Sequence, residues 1–237
     1  MPEKATSEKP EEKEPETGKR EPAAKAPKRK RWPIVAGVIV VVLVVAGVGG
    51  LVWHEQPSFC NAICHAPMDG YLQTYEGKSG QEATDKWGND VSDASGMMAS
   101  VHREKAQANC LSCHQPVMSE QVNEGLEWVS GNFYTNLTER SLTQLVEARG
   151  VNSQKFCLNE SCHNMTYDDL AQATSNMTYN PHQTHYDGLE CSDCHKAHRA
   201  SVYYCTKCHA DAESQMPSGW ITYAQSQQLE QQHATQE

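Results

Sequence analysis

Phenylalanine is nearly missing from this chain, with 3 in 237 residues, and all aromatic residues together make up 7%. Apolar residues reach only 38%, below the share usual for a globular domain. Much of the valine sits in one run near the N-terminus, so the remainder has few side chains for a hydrophobic core. That shortage disfavours a conventional α/β enzyme. Basic residues are scarce beyond position 31. The first 31 residues hold 10 Lys/Arg and 7 Asp/Glu and the others hold 10 and 23, giving net charges of +3 and −13. So acidic a chain would be repelled by nucleic-acid phosphates, and no nucleic acid is expected as a partner. The negative charge suits a basic protein partner, or solubility alone. The length allows one or two domains. By contrast there are 10 cysteines and 11 histidines, more than a purely disordered chain carries.

Residues 1–31 are rich in Glu, Lys, Pro and Ala and hold no large apolar side chain. Such a segment cannot bury enough surface to offset its ordering entropy, so a disordered arm is expected. Next comes a charge-free run, Pro33 to Trp53, bracketed by Trp32 and Trp53. A helix of that length rises about 30 Å, the thickness of a bilayer's hydrocarbon core. Indoles at both ends fit the two interfaces. A cleaved export signal is the alternative, but its apolar region would be shorter, about 7–15 residues, and followed by a small-x-small site. The sequence after the run, VWHEQPSF, offers none. The reading is an uncleaved transmembrane helix over 32–53. Lys28, Arg29, Lys30 and Arg31 precede it, so the positive-inside rule makes the N-terminal arm cytoplasmic and residues 54–237 extracytoplasmic. The expected location is the cell membrane, with a single pass through the lipid bilayer.

All ten cysteines fall into five pairs, and a histidine follows each pair at once. They are Cys60 and Cys64 with His65, Cys110 and Cys113 with His114, Cys157 and Cys162 with His163, Cys191 and Cys194 with His195, and Cys205 and Cys208 with His209. The second, fourth and fifth have the two-residue spacer of the haem c attachment motif; the first has three residues and the third has four. The order suits the chemistry. Two thiols add to the two haem vinyl groups, and the following histidine is held under the iron as proximal ligand. A longer spacer lets the loop bulge without moving the bonded sulfurs. Zinc is one alternative, since Cys191 to Cys208 resembles a zinc ribbon. A disulfide framework is another, plausible outside the cytoplasm. Neither requires a histidine after every second cysteine, and five such coincidences have odds on the order of one in several million. Five covalent haems c are expected. At about 37 residues per haem across 54–237, porphyrins would replace the missing apolar core.

Six histidines remain: His54, His102, His182, His185, His198 and His233. A low-spin electron-transfer haem takes a second axial ligand, usually His or Met. His102 lies eight residues before Cys110, His198 three after His195, and His182 and His185 just before Cys191. Their clustering beside the motifs makes these four the candidate distal ligands. His233 sits in a Gln-rich tail and is expected to be solvated, while His54 abuts the bilayer and could play either role. Met68, three residues after His65, is a candidate thioether ligand or a packing residue.

The motif order resembles the NapC/NirT family, which includes the small subunit of cytochrome c nitrite reductase. The likeness is carried by the first motif close behind the apolar run with Met68 after it, by HREKAQANCLSCHQP with His102 and Pro116, by EARGVNSQKFC, and by HQTHYDGLECSDCHKAHR. It covers about residues 33–199. The resemblance implies a single N-terminal anchor and a multihaem domain outside the cytoplasm. It implies oxidation of membrane quinol, menaquinol being the expected one, and electron delivery to an extracytoplasmic reductase subunit in anaerobic respiration. It further implies that His102 and His198 are distal ligands, each to a haem attached elsewhere in the chain, and that the first haem lies near the membrane beside the quinol. The chain departs from the pattern in its two long spacers and in Met68, one position further from its histidine than usual. It also has a fifth motif nine residues after the fourth, and no lysine in residues 115–139.

The fold class expected is mainly α and loop: one N-terminal transmembrane helix and a multihaem domain over 54–223, with short helices wrapped around stacked haems. Helical spacing appears over Ser119 to Val129, over Thr138 to Arg149 with Gly150 at the stop, and more weakly over Asn164 to Thr174. Strands are not evident. Residues 77–100 read as a surface insertion, and 224–237 as a frayed polar tail. Three functions compete. A quinol dehydrogenase needs a proton acceptor near the membrane-proximal haem. Asp69, Glu120, Glu124 and Glu127 are candidates, each otherwise a solvated surface charge. An electron wire fed by another membrane complex needs no such group. A catalytic reductase needs an iron with an open sixth position and basic groups for an anion. The acidic domain and the supply of spare histidines make it the weakest of the three.

Overall fold

In the computed structural model the charge-free run forms one helix, α1 (Trp32–His54), with no buried residue along its 23 residues. The structure describes residues 31–63, 65–115, 117–132, 139–185 and 187–234, with the backbone alone for 65–67. Apart from Arg31, the expected disordered arm lies outside the described residues. Residues through Val45 and residues from Ala46 form two separate units, and the five motifs lie in the second. α1 is long and apolar enough to cross a membrane, a test that an export signal near the N-terminus also passes.

The second unit is built of short helices and loop. After α1 come α2 (Pro57–Ile63) and α3 (His65–Glu76), then an antiparallel pair of two-residue strands, β1 (Ala83–Thr84) and β2 (Asp90–Val91). Three further helices follow: α4 (Met98–Ala106), α5 (Cys110–Cys113) and α6 (Met118–Ser130). Next are α7 (Leu142–Val146), continued by a 3-10 turn over Glu147–Arg149, then α8 (Ser153–Cys157), α9 (Tyr167–Ala173) and α10 (Cys191–Cys194). A parallel pair, β3 (Val202–Tyr203) with β4 (Ile221–Thr222), precedes the last helix, α11 (Tyr223–Ala234).

Caps explain where the expected helices begin. α6 matches the period-3.6 stripe nearly residue for residue. The stretch expected from Thr138 starts later, because Ser141 caps α7: its Oγ accepts from the Gln144 amide while Gln144 Oε1 accepts from the Ser141 amide. Thr138 itself lies outside the described residues. Gly150 ends that segment in the left-handed region (φ +61°), as its stop position requires. α9 starts at Tyr167 because Thr166 and Asp169 form the same reciprocal box.

Four expectations are corrected. Short strands do exist. Residues 77–100 are no surface insertion but contribute Val91, Ala94 and Met97 to the main buried cluster, with Ala200 and the partly buried Ala83 and Ile221. Their polar residues satisfy one another locally. Asp85 Oδ1 accepts from the Trp87 and Asn89 amides, and Asp93 Oδ1 accepts from the Gly80 and Ser95 amides. Hence the segment lacks periodicity and is still ordered. Residues 224–234 are no frayed tail but belong to α11. Ser226 is buried there, and Glu230 pairs with the fully buried Arg199. His233 is accordingly not a solvated histidine; its ring stacks on Trp87 at 4.6 Å. One close backbone contact fastens the C-terminal segment to this core. A Cβ on Gly96 would come within 2.0 Å of the Gly219 carbonyl oxygen, so glycine alone fits there.

Candidate haem-binding site

Each described Cys–His motif is closed by the same backbone bond. The amides of His114, His195 and His209 donate to the carbonyls of Cys110, Cys191 and Cys205 at 2.8, 2.9 and 2.9 Å. In the third motif the His163 amide still reaches the Cys157 carbonyl, at 3.2 Å, despite two extra residues. The additional chain bulges, held by Asn159, whose Oδ1 accepts from the Ser161 amide and whose carbonyl accepts from the Cys162 amide. Local capping sets these turns. Asn109 and Ser112 box α5, Asn152 caps α8, and Asp193 Oδ2 accepts from the Glu190 amide ahead of α10. In the first motif, Cys64 and the His65 side chain lie outside the described residues, as does Pro116 in the second. All nine described cysteines are free thiols. Among the described residues, no three His, Cys, Asp or Glu side chains converge as a zinc ribbon would need.

The motif histidines each face one of the spare ones. Ring centroids are 6.2 Å apart for His114 and His198, 6.0 Å for His163 and His102, 6.3 Å for His195 and His182, and 6.1 Å for His209 and His185. Two imidazole nitrogens bound trans across one metal ion lie about 4 Å apart, which puts their ring centroids roughly 6 Å apart. The ring planes differ: 5° and 24° for the His182–His195 and His114–His198 pairs, 85° and 87° for His185–His209 and His102–His163. His54 packs on Phe59 instead, at 4.9 Å, and neither it nor His233 faces another imidazole among the described residues.

Three of the spare histidines have their tautomer fixed. His102 Nδ1 lies 2.8 Å from the Met98 carbonyl oxygen, an acceptor only, so Nδ1 carries the proton. His198 Nδ1 lies 2.7 Å from Thr74 Oγ1, and that hydroxyl already donates to the Tyr71 carbonyl. His182 Nδ1 lies 3.1 Å from Thr174 Oγ1, which donates to the Leu170 carbonyl or to Asn180 Oδ1. Each hydroxyl is therefore left to accept from the imidazole. In all three rings Nε2 is the unprotonated nitrogen, the arrangement a metal-ligating histidine takes with its outer-shell partner. Burial favours the neutral form of four histidines. It pulls His198 down to about 3, with help from nearby His114 and Lys86, and His195 down to about 4, with help from His182, His102 and His163. His114 and His182 are lowered for the same reason.

The motifs also follow one another in space. Cys60 hydrogen-bonds Cys110, and Cys157 hydrogen-bonds Cys191. Cys113 lies within electrostatic reach of Cys162, and Cys194 of Cys205. First neighbours second, second neighbours third, and so on to the fifth. The first motif sits at the foot of α1, where Asn109 Nδ2 donates to the Glu55 carbonyl and Trp128 Nε1 to the Ile63 carbonyl. Of the four acidic candidates, Asp69 is exposed, Glu120 accepts weakly from the Val117 amide at 3.5 Å, and Glu127 accepts from Asn123. Glu124 lies near Cys60, and burial together with repulsion from Glu120 and Glu127 raises its carboxyl pKa. Met68 is half-buried.

Behind His198 lies an ion cluster that sequence reasoning missed. Glu139 takes Lys86 at 2.9 Å, Lys196 at 3.1 Å and Arg199 at 3.2 Å, and the Lys86 amide donates to the His198 carbonyl. Nothing in the local pattern marks these residues or Thr74, whose partners lie far along the chain, nor Thr174, whose partner His182 is eight residues on across an irregular loop.

Comparison with known proteins adds the following. The cytochrome c3 family model matches residues 140–210, which span the third, fourth and fifth motifs. The cytochrome c-type protein Cgr1 of Eggerthella lenta is 56% identical over 204 residues, covering 86% of this chain and 93% of that one. The probable fumarate reductase Ifc3 of Shewanella frigidimarina is 34% identical over 58 residues, 24% of this chain and 9% of that protein. No solved structure matches.

Proposed function

The chain belongs to the multihaem c-type cytochromes, the family of Cgr1, and from that premise we propose a membrane-anchored relay that carries electrons from membrane quinol to an extracytoplasmic reductase. Haem c, bound covalently, supplies one-electron transfer at its iron. Each of the five motifs holds one such haem through its two cysteines. His114, His163, His195 and His209 would hold the iron of four of them, paired in that order with His198, His102, His182 and His185. The observation that carries this reading is the set of four imidazole pairs at 6.0–6.3 Å. The free Nε2 atoms of His102, His182 and His198 support it further. His65 and Met68 are left for the first haem.

The daisy-chained cysteines make the path linear, first motif to fifth, with entry at the foot of α1 and exit at the fifth. α1 acts as the uncleaved anchor, its N-terminus cytoplasmic and the motifs outside. Quinol oxidation releases two protons, and Glu124 is the residue best suited to accept one. It lies near Cys60, and its raised pKa moves it toward the range of a working base. The likeness to NapC/NirT proteins fits this assignment of entry. Residues 115–139 contain no Lys or Arg, which favours a second reading in which another membrane complex feeds the first haem. A catalytic reductase is disfavoured, because four motif histidines already face a second imidazole.

Anaerobic mixing of the detergent-solubilised protein with a menaquinol analogue, followed in the visible spectrum, separates the two readings. Rapid reduction of several haems is expected. Reduction by dithionite but not by quinol would make the protein a wire fed from elsewhere.

A further inference from the structure

α6 carries an apolar stripe that none of the described residues covers. Met118, Val122, Leu126 and Val129 are 74%, 56%, 65% and 77% exposed. At 100° per residue these four fall within a sector of about 80°. Trp128 and Glu124 lie on the other side of the helix and turn toward the first motif, Trp128 through its bond to the Ile63 carbonyl and Glu124 through its proximity to Cys60. The stripe therefore points away from the cysteines. The same bond tethers α6 to the end of α2, the short helix that follows α1, and Asn109, between α4 and α5, bonds Glu55 at the foot of α1. An exposed indole, Trp53, stands at the end of α1 beside this region. Amphipathic side chains of that kind settle at a membrane interface.

We propose that α6 lies in the outer leaflet as a second, non-spanning membrane contact, with its apolar stripe at the boundary of headgroups and acyl chains. This rests on the reading of α1 as the anchor. The helix carries Glu120, Glu124 and Glu127 and no basic residue. It is therefore held by apolar burial alone and not by anionic headgroups, and its docking is independent of lipid charge. The contact fixes the entry end of the relay against the bilayer, where an apolar electron donor resides.

The test uses the full-length haem-loaded protein in vesicles of zwitterionic lipid whose acyl chains carry a diazirine. After illumination, lipid adducts are mapped by mass spectrometry. Adducts are expected on both α1 and α6, unchanged when a third of the lipid is anionic. The triple variant V122S/L126S/V129S should lose α6 adducts by about fivefold or more while keeping its α1 adducts and haem spectra. Adducts on α1 alone would overturn the proposal and leave the anchor standing. Adducts on neither would overturn both, and adducts on α6 alone would overturn only the anchor. An unlabelled α6 in a protein that sediments as a dimer would make the stripe an interface between copies. Altered haem spectra in the triple variant would mean the stripe packs on porphyrin. Either result refutes the bilayer contact.

Discussion

Replacing Glu139 by Gln tests whether the ion cluster behind His198 holds the fold together. Glu139 is three-quarters covered, and burial alone would push its carboxyl pKa up. The attraction of Arg199, Lys196 and Lys86 outweighs that and brings it down to about 2 from an ordinary value of 4.5. At about 1.4 kcal/mol per pKa unit, the ionised carboxylate contributes on the order of 3 kcal/mol to folding. A neutral Gln leaves Lys86, 7% exposed, short of a counter-charge, and leaves Arg199, 1% exposed, with Glu230 as its carboxylate. Breaking a buried pair in this way costs about 3–5 kcal/mol, which agrees with the linkage figure. For a domain of this size that lowers the melting temperature by roughly 6–12 °C at pH 7. The sign with pH is fixed. A depressed carboxyl pKa stabilises fully above about 4.5, and the increment fades as pH falls toward about 2. The gap between wild type and E139Q should therefore close between those limits. Thermal unfolding of the detergent-solubilised protein, followed by Soret circular dichroism, measures it, and taking the difference cancels the other carboxylates. A variant melting within about 1 °C of wild type at pH 7, or a gap that widens in acid, would refute the reasoning.

Four further outcomes follow. His198→Ala should convert the haem at Cys110 and Cys113, and no other, to a high-spin state, visible by electron paramagnetic resonance; an unchanged low-spin count would sink the pairing. In the wild type, the near-perpendicular His102–His163 and His185–His209 rings should give large-g-max low-spin signals, with rhombic signals from the other two pairs. A single signal type would contradict the ring geometry. Thr174→Val removes the acceptor of His182 Nδ1, a hydrogen bond of about 0.5–1.5 kcal/mol, and should raise one haem potential by roughly 20–60 mV in a spectroelectrochemical titration. Glu124→Gln should slow reduction by quinol about 100-fold while leaving reduction by dithionite unchanged, and equal slowing of both would remove Glu124 from proton transfer.

The features legible in the sequence are those whose cause is local. The Cys–His spacing is read directly. The α6 stripe and the Thr166 and Ser141 caps act within a turn or two, so α6 falls where periodicity puts it and α7 and α9 within three or four residues. Residues 77–100 and 224–234 depart from the sequence expectation because local bonds are only part of their order, and the rest comes from partners far along the chain. Asp93 is held by Ser218, Arg199 by Glu230, and Trp87 by His233. A hydropathy window cannot register such contacts. The same limit hid Thr74, an ordinary residue whose role exists only once His198 is brought to it.

Crossed pairing also explains how so little apolar material gives a fold. Among the described residues, the buried apolar side chains are few and small, with Met97, Leu142 and Tyr203 the largest. Two of the four imidazole pairs join distant parts of the chain. His102 to His163 ties α4 to the third motif, and His114 to His198 ties the second motif to the segment after the fourth. The other two are short, and both start from the same loop before α10, whose His182 and His185 reach separate motifs. The long pairs therefore close the domain, and the short pairs place the fourth and fifth motifs side by side. In the proposed relay the fifth motif would add a step at the exit without rebuilding the first four, since His185, which faces His209, comes from a loop that also carries the partner of His195.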